Sequence, residues 1–92
     1  MQNSYKASHI LLSDKEDAEY ILEKLNAGES FETLAKEFSE CESGLKGGDL
    51  GVFSSGTMDA AFERALYHMK TGDISSPVVT KYGYHIIKKF DF

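Results

Sequence analysis

The stretch that most restricts the fold is residues 44–58, GLKGGDLGVFSSGTM, in which four of the first eight residues are glycine. Glycine-rich loops can cradle a phosphate, but such a loop leads directly into a helix whose free N–H groups face the anion. Here the glycines lead into a short strand pattern, LGVF at residues 50–53, and no Gly-Lys-Ser/Thr ending follows. The stretch therefore predicts a turn or bulge with positive φ angles and close backbone approach, and not a nucleotide site.

Two helices are predicted between residues 13 and 38. Residues 13–16, SDKE, fit a capping box at the start of the first helix, and Gly28 suits the position just past its end. Ser30 can cap the second helix. Apolar residues spaced three and four apart mark one face of each helix, namely Ala18, Ile21, Leu22 and Leu25 in the first and Phe31, Leu34, Ala35 and Phe38 in the second.

A third helix and four strands complete the predicted order β-α-α-β-α-β-β. Thr57 or Asp59 can cap the third helix and Gly72 would end it. Its apolar side carries Met58, Phe62, Ala65, Leu66 and Met69. The strand patterns are YKASHILL (5–12), LGVF (50–53), SPVVTK (76–81) and GYHIIKKF (83–90), the last two joined by a tight Tyr-Gly turn. We expect a small antiparallel or mixed sheet with helices against it, in a single domain over residues 1–92.

Charge and composition argue against several classes of protein. The net charge of −5 is uneven, because residues 13–42 hold ten acids and three lysines and so carry −7. An acidic helical half argues against nucleic acid or an anionic membrane as the main partner. No window has the long apolar run of a membrane helix, and the start of the chain lacks a signal-peptide pattern.

The single cysteine excludes an internal disulfide. A reducing compartment fits best, so we expect a cytoplasmic protein, although an excised domain of a secreted protein would look the same.

Two histidines and the cysteine are the candidate chemical groups. His9 lies within the first predicted strand and His85 near the start of the last, so each has a defined face of the sheet. No metal site is expected, because zinc needs three or four ligands and the chain has no Cys-x-x-Cys or His-x-x-x-His pairing. The residues alone leave two alternatives: a nucleophile pair with Cys41 as thiolate, or two buried, hydrogen-bonded histidines beside an inert cysteine.

Nearly end to end, the chain resembles the parvulin-type peptidyl-prolyl cis/trans isomerases. The matching pieces are ASHILL (7–12) and residues 31–87, in which GGDLG-F-G-M---F followed by GYHII is a highly specific pattern. The resemblance implies an α+β fold, with a four-stranded, mostly antiparallel sheet surrounded by helices. It also implies a site that binds Xaa-Pro, and no cofactor is expected.

The resemblance assigns roles to eight residues of this chain. The proline pocket would be formed by Leu50, Met58 and Phe62, with Tyr82 at its flank. The polar centre would consist of His9, Cys41, Thr80 and His85. Met58 and Phe62 are four apart in the predicted third helix and would share one face of it. The glycine-rich stretch is then interpreted as the rim of a proline pocket.

The expected mechanism is non-covalent stabilisation of the twisted Xaa-Pro amide. The family often has aspartate at the position of Cys41, which favours an electrostatic role over covalent attack. In this interpretation the histidines and Thr80 form a hydrogen-bonded network that fixes Cys41 and tunes its charge. The phosphate-selective branch of the family has basic residues in the loop after the first strand, whereas residues 13–16 carry a charge of −1 here. We therefore expect no selection for phosphoserine or phosphothreonine before proline.

Two other functions compete with catalysis. One is a peptide-binding or holdase module with the same groove but little turnover, and the other is a thiol redox sensor built on Cys41. Weak members of the family tend to lack parts of the polar centre, whereas this chain keeps all four positions, which favours an active isomerase. The expected partners are proline-containing peptides and unfolded or partly folded proteins, and the chain is expected to be a monomer.

Overall fold

A computed structural model describes residues 4–91. The strands are β1 (Ser4–Leu12), β2 (Asp49–Ser54), β3 (Val78–Thr80) and β4 (Gly83–Phe90). The helices are α1 (Lys15–Asn26), α2 (Phe31–Phe38) and α3 (Ala60–His68), with a 3₁₀ helix at Glu42–Lys46. The four strands form one antiparallel sheet in the order β2-β1-β4-β3. The predicted α+β class and element order are confirmed, while residues 1–3 and Phe92 of the predicted domain lie outside the described residues.

The sheet separates two apolar clusters. We call the first the helix-pair core, because α1 and α2 cover it; it contains Ile10, Leu12, Ala18, Ile21, Phe31, Leu34, Ala35 and Ile86. The second, the α3 core, contains Tyr5, Ala7, Phe53, Phe62, Leu66 and Ile87. Consecutive residues of β1 and β4 alternate between the two cores, as the pleat of a strand requires.

The pairing of β1 with β4 brings the two strand histidines together. His9 lies opposite Ile87, and Leu11 lies opposite His85. The histidines are therefore diagonal neighbours on the α3 side of the sheet, a separation that ring side chains can bridge.

The glycine-rich stretch forms the close approach that the sequence predicts. Gly47 and Gly48 have φ angles of 70° and 87°. The carbonyl of Gly48 accepts a hydrogen bond of 2.9 Å from the amide of His9, and a Cβ on Gly48 would collide with the carbonyl oxygen of His9. The register of β1 with β2 shifts between Lys6 and Ser8. Glycine is thus required where the chain passes His9 and enters β2.

The predicted capping box of α1 is wrong. The helix begins at Lys15 with Asp14 as N-cap, and Asp14 makes no side-chain cap hydrogen bond. Ser13 instead donates from its amide (2.7 Å) and its hydroxyl (2.6 Å) to the carboxylate of Glu40. A tertiary contact has replaced the local one. The predicted cap of α2 is confirmed, since Ser30 accepts from the amide of Thr33.

One of the two caps predicted for α3 is confirmed, whereas the predicted end of the helix is wrong. Asp59 caps it by accepting from the amide of Ala61 at 3.1 Å, so Met58 precedes the helix instead of lying within it. The helix ends at His68, well before Gly72.

The hairpin is shorter than predicted. Strand β3 begins only after Pro77, whose nitrogen has no hydrogen to donate. Because Thr80 pairs with Gly83, the turn consists of Lys81 and Tyr82 and not of Tyr82 and Gly83. Among the described residues, no helix combines the length and apolar character needed to cross a membrane.

Candidate active site

A cleft of about 340 Å³ opens on the α3 side of the sheet. Strands β1, β2 and β4, helix α3 and three loops contribute its lining residues, which are His9, Leu11, Cys41, Leu50, Met58, Asp59, Phe62, Tyr82 and His85. Every predicted site residue except Thr80 therefore lines one cavity. Thr80 lies behind His85, to which it is hydrogen-bonded.

The apolar wall comes from β2, α3 and the loop between them. Phe62 is 2% exposed and points from α3 towards both histidines. Leu50 and Met58 are half-buried, and Tyr82 is 65% exposed at the cleft. Although Met58 precedes α3, it still faces the same cavity as Phe62, so the predicted pairing in the cleft is observed without a shared helix face.

The two histidines form a stacked, hydrogen-bonded pair. Their rings lie 5.1 Å apart at 16°, and their Nδ1 atoms are 2.9 Å apart. The Nε2 atom of His9 is 3.0 Å from the hydroxyl of Ser43. The Nε2 atom of His85 is 2.6 Å from the hydroxyl of Thr80, which also accepts from the amide of Tyr82. The result is a four-residue chain that crosses the floor of the cleft.

The hydrogen bonds between these four side chains limit how many protons the two histidine rings can carry. With one N–H on each ring, the hydrogen bonds can run from Thr80 to Ser43 or in the reverse direction. If both rings were fully protonated, two N–H groups would oppose each other at the 2.9 Å contact between His9 and His85. The geometry therefore excludes a doubly charged pair.

The electrostatic environment acts in the same direction. Burial, with a smaller contribution from His85, lowers the pKa of His9 from 6.5 to about 4. Burial also lowers the pKa of His85, although the nearby charge of Asp59 acts in the opposite direction. Both rings are consequently neutral at pH 7 and act as hydrogen-bonding groups instead of cations.

Phe62 packs its ring against this pair. Its centroid lies 5.6 Å from that of His9 and 5.3 Å from that of His85, at interplanar angles of 77° and 87°. Edge-to-face contacts of this kind favour a single orientation of the rings. The phenylalanine thus links the apolar wall of the cleft to its polar floor.

Cys41 lines the cleft without joining the histidine network. Its carbonyl accepts from the amide of Gly44 at 2.9 Å and its amide donates to the hydroxyl of Ser39 at 3.4 Å. Within residues 4–91, its sulfur has no hydrogen-bond partner, so the expectation that the network fixes this side chain by hydrogen bonding is wrong. The backbone holds Cys41 at the N-cap of the 3₁₀ helix.

Three residues that line the cleft or join the histidine chain were not predicted from the sequence. Ser43 completes the histidine chain, and Leu11 and Asp59 line the cleft. Strand alternation placed Leu11 on the same face as His9, so periodicity contained a signal for it. Ser43 had none, because its contact depends on how the 3₁₀ helix folds back against β1. In the described part of the chain, no three His, Cys, Asp or Glu side chains are grouped as metal ligands.

Comparison with known proteins identifies a family. The model of the rotamase family, described as the PPIC-type PPIASE domain, matches residues 9–91. The foldase protein PrsA of Bacillus subtilis is 53% identical over 90 residues, which cover 97% of this chain and 31% of the relative. This chain therefore spans about a third of the length of that foldase.

Solved structures agree with this match. A crystal structure of the peptidylprolyl isomerase PrsA from Bacillus anthracis has a TM-score of 0.94 at 52% identity, covering 97% of this chain and 42% of that one. The solution structure of NmPin, the parvuline of Nitrosopumilus maritimus, has a TM-score of 0.86 at 44% identity. That match covers 99% of both chains, so the fold described above is also found in a protein of this length.

Proposed function

This chain belongs to the PPIC-type peptidyl-prolyl cis/trans isomerase family, and we propose that its cleft is where rotation about an Xaa-Pro bond is catalysed. The observation that carries the proposal is the cleft itself, in which an apolar wall faces a neutral, fully hydrogen-bonded histidine pair. Because the chain spans only part of its foldase relatives, the proposal concerns the activity of this domain.

The apolar wall supplies a site for the proline ring. Leu50, Met58 and Phe62 would surround the pyrrolidine, which has no N–H to satisfy. Rotation about the Xaa-Pro bond is slow because the C–N bond has partial double-bond character, with a barrier of about 18–20 kcal/mol. A ring held on one side leaves the carbonyl side free to turn.

Catalysis then requires tighter binding of the twisted amide than of either planar form. Each tenfold gain in rate needs about 1.4 kcal/mol of such preference. A largely apolar cleft favours the twisted state, because an amide that has lost its resonance is less dipolar and loses less hydration on entering a dry site. The carbonyl would rotate within the same cleft, which Cys41 and Leu11 also line.

The histidines are proposed to have a structural role at the bottom of the cleft. Since His9 has a pKa of about 4, it carries no positive charge at pH 7 with which to protonate the amide nitrogen. Both rings already use their nitrogen atoms in the chain from Ser43 to Thr80. Their role is to hold Phe62 and β1 in place beneath the substrate.

Cys41 is proposed to act through polarity and not as a nucleophile. A thiol nucleophile needs a base in hydrogen-bond contact. In the described structure the sulfur makes no such contact with either histidine, although all three side chains line the same cleft. The lack of a hydrogen bond between this sulfur and a histidine in the described structure also argues against a redox sensor in which a histidine activates Cys41.

The direct test is an isomerisation assay that uses no protease, run on a panel of Xaa-Pro peptides. Met58→Ala is expected to lower kcat/KM tens of fold, equivalent to about 2–3 kcal/mol. Met69→Ala is the matched control, because it removes the same side chain from the edge of the α3 core outside the cleft. Phe62→Ala is less informative, since Phe62 is buried and its loss would also destabilise the fold.

The outcomes separate the alternatives. Equal activity in the two methionine variants would contradict the pocket assignment. Peptide binding with turnover at the background rate in the unmodified chain would identify a holdase instead of an enzyme.

Proline-containing peptides and unfolded or partly folded proteins are the proposed partners, supported by relatives that are named foldases. The acidic segment at residues 13–42 is the basis for proposing neither nucleic acid nor membrane as a partner.

A monomer and a cytoplasmic location are also proposed, the latter on the free thiol of Cys41. Light scattering tests the first, and fractionation of the native cells tests the second.

A further inference from the structure

The loop that carries Met58 into the cleft is held by a single carboxylate. Residues 55–59 join β2 to α3, and Glu63 reaches back to them from the first turn of the helix. Its oxygens accept from the amide of Gly56 at 2.8 and 3.0 Å and from the amide of Met58 at 2.8 Å. The hydroxyl of Ser55 adds a contact of 3.3 Å.

These contacts exceed what the start of the helix needs. Asp59 already caps α3 through the amide of Ala61. Glu63 bonds groups that precede this cap, so its bonds order the loop and not the helix. Gly56 has a φ of 94°, which lets the loop turn its amide towards the carboxylate.

The charge of the carboxylate suits this task. Burial acts to raise the pKa of Glu63, but hydrogen bonds from Gly56, Met58 and Ser55 outweigh it and lower the pKa below its usual range. An ionised carboxylate offers only acceptors, and every contact from the loop is a donor. Charge-assisted hydrogen bonds to backbone amides are shorter and stronger than neutral ones.

The position of Glu63 ties the two sides of the proposed pocket together. Its neighbour in the chain, Phe62, forms the apolar wall next to the histidines, while the carboxylate holds the backbone of Met58. One turn of α3 therefore sets both the position of the phenylalanine and the distance from it to the methionine. A change in this distance would alter how closely a proline ring fits.

We propose that Glu63 is a positioning residue of the proline pocket, which acts on the substrate through Met58 and makes no contact with it. The inference rests on the proposed function of the cleft. It predicts that loss of the carboxylate weakens the binding of proline peptides more than it slows the rotation of a bound peptide.

The test is a double-mutant cycle between Glu63→Ala and Met58→Ala, with binding of an Ala-Leu-Pro-Phe peptide followed by NMR titration. Glu63→Ala is expected to weaken binding about fivefold to tenfold and to change kcat less than twofold. In the Met58→Ala background the same change should have almost no further effect, because the side chain through which it acts is gone. Glu37→Gln, at an exposed position of α2, serves as the control for loss of a charge.

Two further measurements keep the test decisive. Glu63→Gln keeps one carbonyl acceptor and is expected to lie between the wild type and Glu63→Ala; it carries the comparison if the alanine variant does not fold. Hydrogen exchange of the Gly56 and Met58 amides should accelerate in both variants.

Accelerated exchange with unchanged peptide affinity would overturn the proposal and reduce Glu63 to a loop contact, as would additive effects in the cycle. Isomerisation by the wild-type protein is a separate test of the proposed function, because the affinity and exchange measurements do not depend on catalysis.

Discussion

The two faces of the sheet are built from the same strands and serve different ends. On the helix-pair side, Ile10 and Ile86 are fully buried among apolar side chains. On the α3 side, their immediate neighbours His9 and His85 form a hydrogen-bonded pair beneath an open cleft. One step along a strand thus separates the part of the molecule that provides stability from the part that is proposed to bind substrate.

The α3 side contains buried polar groups, but each has a partner. The ammonium of Lys89, a residue only 7% exposed, donates to the carbonyls of Leu66 and Met69 at the end of α3. Among the described residues, no buried side-chain nitrogen or oxygen lacks a hydrogen bond. A sheet can thus hold a cleft on one side when the polar groups there are satisfied and the other side is closed.

The largest expected effect separates stability from activity. Leu34→Ala removes a side chain that is 1% exposed in the helix-pair core, and it should lower the free energy of unfolding by about 2–5 kcal/mol. The kcat/KM of the protein that remains folded should stay within about twofold, because α2 does not line the cleft. Urea denaturation and a low-temperature isomerisation assay measure the two quantities. A large loss of activity in folded protein would show that the two faces are coupled.

Because of the buried histidine pair, the free energy of unfolding should fall at acidic pH. Unfolded His9 binds a proton below about pH 6.5, whereas folded His9 does so only near pH 4. Between these values the unfolded state binds more protons, so stability falls as the pH falls, by up to about 3 kcal/mol from this residue.

Thermal midpoints of the wild type and of His9→Gln between pH 7 and pH 4 measure this contribution. The midpoint should fall less steeply in the variant than in the wild type. Parallel curves for the two proteins would contradict a buried, neutral His9.

A smaller effect on activity is expected from substitution of Cys41, which lines the cleft. If it acts through polarity, Cys41→Ala should lose activity about threefold to tenfold, or roughly 1 kcal/mol. Cys41→Asp should retain more, because the family accepts aspartate there. Both variants should fold, since Cys41 is only partly buried and a carboxylate there can reach water. A folded but inactive Cys41→Asp protein would favour covalent attack by the sulfur.

The smallest effect is expected from phosphate before proline. The loop between β1 and α1 is tied to Glu40, whose carboxylate accepts from Ser13. A dianionic phosphate at this loop would meet acidic side chains instead of a cluster of arginines. Matched serine-proline and phosphoserine-proline peptides, compared at low salt, should show no preference for the phosphorylated peptide in kcat/KM. A tenfold or greater preference for the phosphorylated peptide would contradict this interpretation of the loop.

Local patterns in the sequence were enough to predict the elements and their order. Periodicity identified three helices and four strands, because burial on one face is a local property of spacing. Helix ends were predicted less well. The contact between Ser13 and Glu40 joins residues far apart in the chain, and no capping rule contains such a contact. Asp59, by contrast, is one of the two caps predicted for α3, because it accepts from the nearby amide of Ala61.

The α+β fold, the close approach at the glycines and the membership of the family could all be predicted from the sequence, because they depend on residue types at fixed spacing. Two features follow instead from the tertiary structure: Ser43 completes the histidine chain, and within the described residues the sulfur of Cys41 makes no hydrogen bond to that chain. The physical reason is that a hydrogen bond forms only within about 3.5 Å and over a narrow range of angles. Distances of that kind between remote segments are set by how the helices pack on the sheet.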